Sequence, residues 1–128
     1  MYRLKTKWFS KWASKNSLSD SDLKAAIIDL IEDKGVSNLG GNLYKIRVSR
    51  DHEGKSGGYR TLIAYKKDER AIFLFAFAKN EKDNLDKSEL AALKKLAGDY
   101  TSLDSEEIKR QIILGNLIEL EEKNEKRT

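Results

Sequence analysis

Apolar positions recur along this chain with two different periods, and the period separates helices from strands. Leu23, Ala26, Ile27, Leu30 and Ile31 fall at i, i+3, i+4, i+7 and i+8, the stripe of an amphipathic helix. Ser19 is placed to cap it, Asp20 and Asp22 sit in its first turn, and Gly35 is a stop. Upstream, Trp8, Phe9 and Trp12 share helical spacing, so the two helices form an N-terminal hairpin covering one face of a sheet. Residues 1–5 read as a short strand. In GNLYKIRVS the period changes to two, with Tyr44, Ile46 and Val48 on one face and Lys45, Arg47 and Ser49 on the other. A polar, glycine-bearing loop runs from Arg50 to Gly57. YRTLIAYK then forms a second strand, and a turn at Lys67-Asp68-Glu69-Arg70 leads into AIFLFAFA. That last run is apolar throughout, as a central strand covered on both sides requires. The connections are too short for parallel crossovers, so the three strands form an antiparallel meander.

Two further helices follow. Asp86 or Ser88 caps one whose Leu90, Leu93, Leu96/Ala97 and Tyr100 share a face. Asp104 to Glu107 opens another, carrying Ile108 and Ile112 and ending near Gly115; residues 117–120 either add a short edge strand or simply pack down. The order β-α-α-β-β-β-α-α predicts an α+β fold: a small antiparallel, mixed-edge β-sheet with an N-terminal helical hairpin and C-terminal helices. Residues 1–120 read as a single domain and residues 121–128 as a charged tail.

Composition narrows the function classes. The chain of 128 residues has no Cys and one His, which argues against disulfides, thiolate chemistry and a structural zinc. It has no membrane-length apolar run, and MYRLKTKWFSKW lacks the apolar core of a signal peptide, so a cytoplasmic protein is expected. The net charge of +4 is unevenly spread. Residues 42–82 carry ten Lys and Arg against five Asp and Glu, whereas residues 83–128 carry eight against eleven. An anionic partner is expected at the middle segment.

That segment contains GKSGGYRTLIAY, residues 54–65. Lys45 and Arg47 are i, i+2 neighbours on one strand, Arg60 opens the next, and Lys79 closes the one after. In an antiparallel meander the start of one strand lies beside the end of its neighbour, which brings Arg60 near Lys79, with Lys55 on the loop above. Two readings stand: cations solvating an open sheet face, or cations and free backbone N–H groups gripping a phosphate. Tyr59, Tyr65 and Phe77 are either core filling or stacking partners for unpaired bases. His52 is either an exposed bystander or an acid–base group. No P-loop, nucleophile elbow, dinucleotide glycine fingerprint or paired carboxylates are present.

The string LYKIRVSRDHEGKSGGYRTLIAYKKDERAIFLFAFAKNEKDNLDKSELAALKKLA resembles the RelE-type toxins of bacterial toxin–antitoxin systems, most nearly the HigB-like branch. With the upstream SLSDSDLKAAIIDL, the resemblance covers residues 1–118. It implies a RelE-like toxin fold acting as an mRNA endoribonuclease (mRNA interferase) in the ribosomal A site, inhibiting translation without a metal or other cofactor. It also implies contacts with ribosomal RNA and a cognate antitoxin, often containing a helix-turn-helix. Carried over by position, Lys45, Arg47, Arg60 and Lys79 match the family's catalytic cations. Arg50, Lys55, Tyr59, Phe77, Asn80 and Lys82 fall where RNA would be held. Asn80 stands where the family has an arginine, and Asp86 near its catalytic tyrosine; His52, Lys82 or Tyr59 would then have to manage protons. A gyrase poison like the ParE branch of the same fold, or an RNA-binding module without catalysis, are the alternatives.

Overall fold

In the computed structural model of the chain, residues 1–49, 58–79, 81 and 84–121 are described. The element order is β1 (Tyr2–Thr6), α1 (Lys7–Lys15), α2 (Asp20–Ile31), β2 (Val36–Gly40), β3 (Leu43–Val48), β4 (Tyr59–Lys66), β5 (Arg70–Ala78), α3 (Lys87–Ser102), α4 (Ser105–Ile113) and β6 (Leu117–Glu119). The strands form one sheet in the order β2-β3-β4-β5-β1-β6. Only β1 and β5 pair in parallel. The architecture is α+β with a mixed sheet, and β3-β4-β5 is the antiparallel meander that the alternation predicts.

Each helix start is written in the sequence. Thr6 accepts a hydrogen bond from the Phe9 amide at 3.1 Å and so begins α1 directly after β1. Ser19 and Asp22 form a reciprocal capping box. Asp86, rather than Ser88, caps α3 in the same way with Glu89, and Asp104 caps α4. Inside α2, Leu23, Ala26, Ile27 and Leu30 are buried as the stripe predicts. Ile31 departs from it: it is 51% exposed, because the helix ends there and turns its last residue outward.

β2 is the element that the pattern did not predict. VSNLG has no clean alternation and weak strand propensity. Its conformation comes from pairing with β3 across Gly41-Asn42, whose φ angles of 65° and 67° make the left-handed two-residue turn that matches strand twist. The Asn42 amide also donates to Thr101 Oγ1 on α3 at 3.1 Å, fastening the hairpin to the helix layer.

The sheet separates two apolar cores. On one side α1 and α2 bury Phe9, Ala13, Leu23 and Ile27 against Ile46, Ile63 and Phe73. On the other, α3 and α4 bury Leu93, Ala97 and Ile108 against Leu4, Leu43, Leu62 and Ile72. β5 contributes to both, as a central strand should. Two charged groups lock the layers. Asp20, at the start of α2, meets Lys5 Nζ at 2.6 Å and accepts the Glu121 amide at 2.7 Å, tying β1, α2 and the segment after β6 together. Arg70, only 4% exposed, donates Nη1 to the carbonyls of Tyr100 (2.8 Å) and Leu103 (2.6 Å), where α3 ends. Among the described residues, no helix is long and apolar enough to cross a membrane.

The Arg70 contact sets the first prediction. Arg70→Met keeps the packing volume but strands two buried carbonyls, so unfolding in urea should show a loss of about 3 kcal/mol. A loss within error of zero would mean that α3 is held by its apolar face alone.

Candidate active site

Residues facing each other across an antiparallel pair point to the same side of the sheet. Lys45 faces Leu62, and Arg47 faces Arg60. Arg60 in turn faces Phe77, and Leu62 faces Phe75. Leu62 and Phe77 belong to the core beneath α3, so Lys45, Arg47 and Arg60 emerge on the α3 side of the sheet. Two rows result: Lys45-Leu62-Phe75, and one pleat further out Arg47-Arg60-Phe77.

The helix covers only part of this face. The Lys45 ammonium lies 3.5 Å from Asn84 Oδ1, just before α3 begins, so the helix starts level with Lys45. Beyond it Arg47 is exposed and Arg60 is half-buried. Among the described residues no carboxylate pairs with Lys45 or Arg47. Like charges at directly opposed positions disfavour one another where no anion lies between them. An anion bound between them reverses that sign, and the planar donor fork of arginine suits a phosphate.

Gly58 fixes the geometry. A Cβ built there would lie 2.3 Å from the Val48 carbonyl oxygen, so no other residue lets the start of β4 approach the end of β3 this closely. That approach holds Arg60 in register with Arg47. A bulge completes the arrangement: Leu62 faces Phe75 and Ile63 faces Phe73, leaving Leu74 as an extra residue in β5. Phe75 and Phe77 are thereby turned to the α3 side. Neither the bulge nor its effect is visible in a strand that is apolar at every position.

The remaining candidates are placed as follows. Lys79 is exposed in the turn directly after β5, two residues beyond Phe77. Phe77 is buried in the core edge beside Arg60, 6.4 Å from the Phe75 ring. Tyr59 lies on the other side of the sheet, 5% exposed; its ring meets Trp12 edge-on at 4.9 Å and its hydroxyl reaches Asn16. It is therefore separated from the cations by the sheet. Tyr65 also faces that side, edge-on to Tyr44. Asp86 spends its carboxylate on the cap of α3, accepting from the Glu89 amide at 2.8 Å and the Ser88 hydroxyl at 3.1 Å. Arg50, His52, Lys55, Asn80 and Lys82 lie outside the described residues. Asn84, which sequence reading did not single out, is the group that meets Lys45; its position before the α3 cap was its only signal.

Residues 1–120 match the family described as the RelE toxin of the RelE/RelB toxin–antitoxin system. No curated protein matches the sequence.

The Gly58 contact predicts a contrast between two glycines. Gly58→Ala must push β4 off β3 and should cost about 1–3 kcal/mol in thermal or urea unfolding. Gly98→Ala, inside α3 with nothing near its Cβ position, should be neutral or stabilising. Equal effects at both sites would remove the close-approach argument.

Proposed function

The chain belongs to the RelE toxin family and is the toxin of a toxin–antitoxin module; we propose that it inhibits translation by cutting mRNA in the ribosomal A site. The observation that supports this reading most is the pair of opposed arginines, Arg47 and Arg60, with Lys45 beside them on one face of the sheet. Lys79, following β5, joins them in the proposed cradle, and Lys55 and Arg50, on the segment between β3 and β4, extend its grip on the RNA.

The chemistry asks little beyond placement and charge. The ribose 2′-hydroxyl next to the scissile phosphate is an internal nucleophile, so no metal-activated water is required. Loss of its proton lets the oxygen attack phosphorus; the bond to the 5′-oxygen breaks and that oxygen takes up a proton, leaving a 2′,3′-cyclic phosphate. Negative charge grows on the non-bridging oxygens in between, and guanidinium and ammonium groups held in place beforehand stabilise it. Proton transfer falls to His52 or Lys82 in this proposal, because Asp86 caps a helix and Tyr59 is on the far side of the sheet. The family implies a cognate antitoxin; we propose that it is a helix-turn-helix protein that covers the cationic face.

Expression of the toxin followed by primer extension on translated messages tests the reading. The expected outcome is in-frame cuts that fall about 10²- to 10³-fold in Arg60→Ala, with Arg60→Lys intermediate. His52→Gln should flatten the pH dependence of cleavage if His52 moves the proton. Growth arrest with a DNA-damage response and no cuts would transfer the assignment to a gyrase poison. RNA binding without cuts would leave a module that has lost catalysis.

A further inference from the structure

A second feature on the same face has no place in phosphate chemistry. Trp8, in the first turn of α1, is 47% exposed, an unusual setting for the largest apolar side chain. Its ring stacks on Phe75 with centroids 4.9 Å apart and planes 29° apart. The Trp12 ring lies almost parallel at 6.5 Å, a separation at which the two indoles are offset rather than overlaid. Trp8 and Phe75 form one wall of a groove of about 500 Å³; Leu93, Leu96 and Tyr100 of α3 form the other. Gln111 and Asn116, joined by a 2.8 Å hydrogen bond, stand at its polar end, and Lys7 lies at its rim.

Strand register links Phe75, on the groove wall, to the cationic rows. Phe75 ends the row that starts at Lys45, and Phe77, 6.4 Å from Phe75, ends the row of the two arginines. Two strand spacings, about 10 Å, separate the backbone of Lys45 from that of Phe75. An anionic chain seated on the arginine pair therefore brings its neighbouring units to the aromatic wall. Apolar walls, a stacking surface, amide groups at one end and a lysine at the rim describe a site for a flat heterocycle attached to a phosphate. An apolar peptide side chain would use the walls but neither the amides nor the neighbouring cationic rows.

We propose that the groove between Trp8 of α1 and Leu96 of α3 is a nucleobase subsite, which takes an unpaired base of the RNA flanking the phosphate held by Arg47 and Arg60. The proposal rests on the RNA-cleaving reading of the cationic rows and adds a place where the protein grips the substrate apart from its reactive linkage. Trp8 and Phe75 are the stacking platform, and Gln111 and Asn116 meet the base edge.

The test uses the full-length toxin and a short single-stranded RNA methylated at every 2′-oxygen, which removes the nucleophile and prevents cutting. A strand of equal length without bases is the control. The base-bearing strand should quench tryptophan emission and bind more tightly than the abasic one. Trp8→Ala should weaken the base-bearing strand about tenfold, erase its advantage over the abasic strand and leave the salt dependence unchanged; Trp8→Phe should restore most of the affinity. Leu96→Ala, which widens the groove without touching the indole, should weaken the base-bearing strand alone. Arg47→Ala should instead lower affinity for both strands and reduce the salt slope. If Arg47→Ala has that effect while Trp8→Ala and Leu96→Ala bind as wild type, the subsite is overturned and the RNA reading stands. If neither strand binds, with ribosomes present or absent, the RNA reading itself falls. Shielding of Trp8 by the antitoxin, with no response to either strand, would also overturn the subsite.

Discussion

The side of the sheet that each residue of β5 serves is decided at Leu74, where one residue of the strand has no partner on β4. Before the bulge, Ala71 and Phe73 face α1 and α2; after it, Ala76 does, and Phe75 and Phe77 fall on the opposite side. A strand with unbroken alternation would place Phe75 and Phe77 with Phe73, under the N-terminal helices. The outer part of the α3 face would then lose its apolar floor, and Arg60 would have no aromatic neighbour on β5. The extra residue therefore supplies the surface on which the cations stand, at a modest local cost in ladder hydrogen bonds.

Two contacts keep that surface in register. Gly58 lets the backbone of β4 press against the Val48 carbonyl, which sets Arg60 opposite Arg47. Arg70 anchors the far end of α3 by its last carbonyls, while Asp86 caps the near end beside Asn84 and Lys45. The helix is thus fixed at both termini, and its start marks how far α3 covers this face of the sheet. Arg70 and Asp86 are charged, yet each is consumed by structure. Arg47, the same residue type as Arg70, is exposed instead, and burial and hydrogen bonding distinguish the two where charge counting cannot.

The elements with strong periodicity were legible from the chain alone. Residues 59–66 and 70–78 match the predicted strands almost to the residue, because turn residues bound both runs. The caps at Ser19 and Asp104 were equally plain, since a side-chain acceptor before an acidic first turn is a local signal. β2 was hidden because tertiary pairing, not propensity, makes it a strand, although Gly41-Asn42 carried the turn signal. For the candidate site, alternation placed Lys45 and Arg47 together and meander topology added Arg60. Tyr59 shows the limit: it adjoins Arg60 in sequence, so period two alone sends it to the other face, where Trp12 buries it. Spacing puts Trp8 on a helix face. Its exposure and its stack on Phe75 depend on where β1 ends and α1 leaves the sheet, which no local pattern encodes.

In the proposed reading, a site built from facing cations would also set how the toxin responds to its partners. Any anion that binds the folded protein and not the unfolded chain adds stability in proportion to the logarithm of its concentration over its dissociation constant. An anion held between Arg47 and Arg60 would add this stability in the complex and withdraw it on release. In the proposed reading, RNA and an antitoxin that covers the same cations would each add this stability, and they cannot do so together. Inhibition by occupancy then needs no change of shape in the toxin. It needs only a protein surface that offers carboxylates where the RNA offers a phosphate.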